Sequence, residues 1–136
     1  MPVSLKTVTE AKRSLNACLK NPDFLDRFYT LFLSSSEAVR EKFKNTSISK
    51  QKIVLKSSLH IMLLLAQGKL AETSALQHMA ERHSRKDLDI DPSFYNTWLE
   101  CMIVAAKGSD LDFTNETEKA WRDSLAPGIE FLQSHY

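Results

Sequence analysis

The sequence predicts an all-α protein, and three observations carry the prediction. Apolar residues recur at helical spacing almost throughout the 136 residues. Punctuation is sparse, with three glycines and four prolines, so the segments between are long. No stretch alternates apolar and polar residues as a half-buried strand would.

Taken in order, Val8, Ala11, Leu15 and Cys18 or Leu19 make the stripe of a first helix, which stops around Asn21-Pro22. Leu25, Phe28, Tyr29 and Phe32 line a second. A short segment, Ser36–Phe43, opens on Ser-Glu and closes on Phe43. The polar run Asn45–Ser49 is rich in helix-start residues. After it comes the most apolar helix, with Leu55, Leu59, Met62 and Ala66 on one side and Gly68 as its stop. Thr73 begins a shorter helix with the stripe Leu76, Met79, Ala80 and His83, followed by a charged linker, Ser84–Ile90. Asp91-Pro92 reads as a cap with proline at the first helical position, opening a helix that carries Tyr95, Trp98, Leu99 and Met102. Thr114 starts the last helix, with Glu116 and Glu118 near its positive end and Ala120, Trp121, Leu125 and Leu132 facing inward. Pro127 falls inside that helix, so a bend is expected just before it. Six or seven helices of unequal length point to an irregular packing more than a four-helix bundle.

Several function classes fall away. Eighteen Lys and Arg stand against 17 Asp and Glu, which leaves no field for steering onto nucleic acid. The longest unbroken apolar run, Ile61–Ala66, is far short of the roughly 20 residues that span a bilayer. Met1 to Thr9 lacks the basic-then-apolar pattern of a signal peptide, so a cytoplasmic protein is expected. Cys18 and Cys101 are far apart within apolar stripes and indicate neither a disulfide framework nor a zinc site. The length fits one domain, residues 1–136.

Five features, taken together, define a pattern: the aromatic pair in FLDRFYTLF; Phe43, closing VREKF ahead of a polar loop; Gln51-x-x-x-Leu55-x-x-x-Leu59; MAERHSRKDLDIDPSFYNTW, a histidine late in a short helix and then a helix with Tyr95 and Trp98; and EKAWRDSLAPGI in the final helix. In this order, and over nearly the whole chain, they resemble a bacterial single-domain globin. The resemblance implies a globin fold of about six to eight helices packed around a haem pocket. The cofactor would be heme b, held without covalent bonds because the Cys-x-x-Cys-His attachment motif is missing.

The resemblance also assigns roles. Of His60, His78, His83 and His135, only His83 ends an apolar stripe on the short helix before Asp91-Pro92. That is where the family's proximal iron ligand falls; on residue type alone, a core histidine satisfied by a backbone carbonyl is the alternative. A ligating imidazole donates its other nitrogen to an acceptor, here expected one turn back near Met79. Gln51 and Leu55, four apart, share a face, and with Tyr29 they match the family's distal ligand-binding residues. Gln51 as a solvated first-turn residue and Tyr29 as a core aromatic are the plainer readings. Phe43 would lie against the porphyrin, with Leu59, Met79, Tyr95 and Trp98 around it, although a core Phe43 would look the same in sequence. Lys52, Arg82 and Arg85 are candidate cations for the propionates, or solvated charges.

Bound dioxygen carries partial negative charge, and two donors worth about 0.5–1.5 kcal/mol each would slow its loss by one to two orders of magnitude. Carbon monoxide, less polarised, gains less. The expected function is reversible binding of O2, with NO or sulfide as other ligands, by a monomer or homodimer. The alternatives are nitric oxide dioxygenation with an external reductase, and a haem-free globin-like interaction module. Flavohaemoglobins append a reductase and place a glutamate on the final helix; neither is expected here, so the resemblance does not extend to a peroxidase-like push.

Overall fold

A computed structural model describes residues 3–69, 73–86 and 88–136, with Thr73 described in its backbone alone. The sequence readings at Met1, Pro2 and Asp87 lie outside these residues. The described chain forms seven helices and no strand: α1 (Leu5–Leu19), α2 (Phe24–Ser35), α3 (Glu37–Phe43), α4 (Ile48–Ala66), α5 (Thr73–His83), α6 (Phe94–Lys107) and α7 (Asn115–Ser134).

Local chemistry explains the boundaries. Ser4, Ser36 and Ser47 each accept a bond from the amide three residues on, at 3.2, 3.1 and 3.4 Å, and so start α1, α3 and α4. Thr114 and Thr117 cap α7 reciprocally, the side chain of each accepting from the other's amide. At the end of α4, Gly68 takes φ 79, a left-handed conformation that glycine adopts without a Cβ penalty. Its amide bonds to the Leu65 carbonyl at 2.9 Å, and that of Lys69 to Leu64 at 3.2 Å, so the helix's last carbonyls are satisfied.

One start differs from expectation. Helix α6 begins at Phe94, not at Pro92, and Ser93 at its N-cap makes no side-chain capping bond. The Asp91 carboxylate instead accepts from the Ser93 amide at 2.9 Å, closing a turn that feeds the helix. Short acidic side chains offer the backbone this alternative to a cap. Helix α7 runs unbroken through Pro127.

The helices join through specific contacts. Trp121, buried in α7, donates to Ser14 of α1 at 2.9 Å. Arg13 of α1 bridges Glu10 at 2.8 Å and the buried Asp110 at 2.9 Å, and Glu10 also accepts from Thr117 at 2.6 Å. Between α2 and α6, Phe28 meets Trp98 edge to face at 6.0 Å. Helices α4 and α7 approach closely where Gly128 faces Met62; a Cβ there would fall 2.8 Å from Met62 Cε and 2.9 Å from Cγ. Helix α5 rests on α4 and α7 and buries only Leu76 and Ala80 among its described side chains. No helix among the described residues is long and apolar enough to cross a membrane.

Candidate functional site

A cavity of about 930 Å³ opens between α2, α4, α5 and α6, with Ile129 and Leu132 of α7 behind it. Ligand pockets run to roughly 300–1,000 Å³, so this one is large.

The α5 wall presents Met79, Arg82 and His83. His83 Nδ1 lies 2.7 Å from the Met79 carbonyl, one turn back, the partner expected of a ligating imidazole. A carbonyl only accepts, so Nδ1 carries the proton and Nε2 the lone pair of a neutral ring. The ring sits 6.5 Å from that of Tyr95, whose phenol burial pushes up to about 12.

The α2 and α4 walls carry Tyr29, Gln51 and Leu55. Tyr29 is buried, and its hydroxyl donates to the backbone carbonyl of Gln51 at 3.2 Å. Burial raises this phenol above its ordinary value, so the neutral donor form is favoured. Phe43 closes the aromatic end, 6.3 Å from Tyr29 and 5.9 Å from Phe32, and Trp98 continues it from α6.

Two expected contact residues lie elsewhere. Lys52 points to α2, its Nζ 2.7 Å from the Asp26 carboxylate, and it does not line the cavity. Leu59 is wholly buried in the core. The lining of α4 is a broad face that runs from Leu55 and Met62 through Gln51 and Ser58 to Val54, Ile61, Ser57 and Ile53. At 3.6 residues per turn, Leu59 lies about 80° and Lys52 about 100° round the helix from Gln51, both in the same direction and just beyond the edge of the lining that Leu55 marks.

The structure adds residues that the sequence did not single out for the site. Lys42 lines the cavity and donates to the Leu88 carbonyl at 2.9 Å, tying α3 to the linker after α5. Nothing about a lysine on a short polar helix signals that role. Ile129, by contrast, continues the inward stripe of Trp121 and Leu125 and was within reach of periodicity. His60 is exposed and outside the lining, whereas His78 is exposed yet borders it. His135 stacks on Phe131 at 4.1 Å.

Helices that close around a large apolar cavity, with an imidazole on one wall and a phenol and a carboxamide on another, define a helical protein shaped to hold a sizeable apolar ligand. The comparisons place it more closely. The globin family profile matches residues 26–127. The chain is similar to a protein from Pseudomonas aeruginosa PAO1 whose crystal structure is described as structurally highly homologous to a human hemoglobin. The TM-score is 0.92 at 34% identity, over 96% of this chain and 98% of that one. No curated protein matches. The chain belongs to the globin family, whose members in general bind haem.

Proposed function

We propose that this globin holds heme b non-covalently through His83 and reversibly binds O2 or another diatomic gas under Tyr29 and Gln51. The observation that carries the reading is the His83–Met79 bond at the wall of the large cavity. It fixes the ring orientation and makes Nε2 the basic nitrogen, the donor chemistry that haem iron requires. The apolar aromatic walls suit a flat macrocycle, so the residues present fit the group.

When bound, the haem iron supplies the position at which a diatomic gas attaches. The chain's own part is to orient the imidazole, to exclude water with Phe28, Phe43 and Trp98, and to offer polar hydrogens on the Tyr29 and Gln51 side. Among the described residues, Arg82 and Lys42 are the Lys and Arg side chains that line the cavity, where the cofactor's carboxylates would meet positive charge.

The test is haem uptake followed by absorption spectroscopy. The wild-type chain should take up haem and give a sharp Soret band, and His83→Ala should lose it or hold haem weakly and exchangeably. Wild-type-like retention in His83→Ala overturns the ligand assignment; no uptake by the wild type favours a haem-free interaction module. Multiple-turnover NO consumption with a supplied electron donor would identify dioxygenation, which needs the same residues.

A further inference from the structure

Helix α5 has space on two sides. Met79, Arg82 and His83 face the large cavity. Gln77, Ala80 and Glu81 face a second cavity of about 380 Å³ that Arg85 and Tyr136 help to close. With only Leu76 and Ala80 buried among its described side chains, packing leaves the position of its C-terminal end weakly determined.

That end is tied down by the linker. The Leu88 amide donates to the Arg82 carbonyl and the Ile90 amide to the His83 carbonyl, each at 3.0 Å, while the Asp89 amide reaches Ser84 at 2.8 Å. The turn needs Asp89 at φ 51, a left-handed conformation that aspartate tolerates better than most residues. Tyr136, just beyond α7, holds both ends of this linker. Its hydroxyl donates to the Asp89 carboxylate. Its carbonyl accepts from the Arg85 amide at 3.1 Å, and its ring lies 4.9 Å from the Arg85 guanidinium carbon.

We propose that Tyr136 is a positioning residue for His83: it latches the linker to α7, and the latch sets where the end of α5 holds the imidazole. The proposal rests on His83 as the iron ligand.

Two variants break the Asp89 arm of the latch by different routes, leaving the Arg85 contacts in place. Tyr136→Phe deletes the hydroxyl and keeps the ring under Arg85. Asp89→Gly deletes the acceptor and keeps the backbone, since glycine is at ease at φ 51. Asp89→Asn retains a carbonyl acceptor and the tolerance of φ above zero, and serves as the conservative rescue. In both removal variants the Leu88 and Ile90 amides should exchange with solvent about tenfold faster, the factor carried by about 1.4 kcal/mol. The ferrous iron–histidine stretching band should shift and broaden in both, and Asp89→Asn should restore exchange and band towards wild type. Wild-type exchange or a wild-type band in Tyr136→Phe and Asp89→Gly overturns the proposal. Amide exchange needs no cofactor. A wild-type chain without an iron–histidine band therefore removes the His83 reading while exchange still judges the latch.

Discussion

The hydroxyl of Tyr29 has one proton to donate, and the structure directs it to the carbonyl of Gln51, on the α4 wall of the cavity. A polarised gas ligand entering there would compete for that proton and find the Gln51 carboxamide beside it. Tyr29→Phe and Gln51→Leu are each expected to speed O2 dissociation roughly 2- to 10-fold, for a bond worth about 0.5–1.5 kcal/mol. CO dissociation should change much less. Stopped-flow release of both gases checks this, and equal effects would mean that the residues act by shape. At this scale the sequence made cavity-lining positions legible where a side chain's chemistry and its helical stripe agreed, as at His83, Tyr29 and Leu55; the roles of these residues toward a ligand belong to the proposal. The sequence failed at Lys52 and Leu59, because order and spacing along a helix do not say which stripe meets the cavity. Lys52 lies one residue from Gln51 and yet answers to Asp26 on α2.

Helix starts and stops were legible because they are written in short-range chemistry. The serine caps of α3 and α4, the Thr114 cap and Gly68 all act within a few residues. Asp91-Pro92 misled for the same reason: a carboxylate that can cap a helix can also close a turn. Thr114→Ala should lower stability by about 1 kcal/mol, read from urea unfolding. The helix crossings were not legible, since they depend on partners far apart in sequence. Gly128 shows this, because its absent side chain is what lets α4 and α7 meet at Met62. Gly128→Ala drives a methyl into Met62 Cγ as well as its flexible Cε, and should cost about 1–3 kcal/mol. Met62→Val should recover part of that loss; a Gly128→Ala protein as stable as wild type would contradict the crossing.

Across the whole molecule, charge pairs join α1 and α6 to the loop before α7 and to α7 itself. Bonding to Arg13 holds Glu10 below the usual carboxylate range, and Arg122 does the same for Glu100. Burial alone would raise Asp110, but bonds from Arg13, Ser14 and the Asp112 amide outweigh it and leave the carboxyl lowered. Groups lowered on folding contribute their stability above the unfolded values, about 3.9 for Asp and 4.3 for Glu. They lose it as pH falls through the lower folded values. The urea midpoint should therefore hold steady down to about pH 5 and decline below it. Arg13→Met should lower the plateau and flatten that decline, because Glu10 and Asp110 would no longer be held so low. An acid limb as steep as that of wild type would show that the Arg13 pairs do not carry it.

The thin packing of α5 also bears on how long a newly made molecule survives. Segments with few buried apolar contacts open locally at a free energy well below that of global unfolding. Proteolysis of such segments tracks the population of the open form. Any group bound against His83, Met79 and Arg82 closes that opening by mass action. Limited trypsin digestion of the haem-free chain should therefore cut after the exposed Arg82 before other sites, and added haem should suppress that cut. The abundance of the protein would then follow the supply of its cofactor, with α5 serving as the degradation signal of the empty chain.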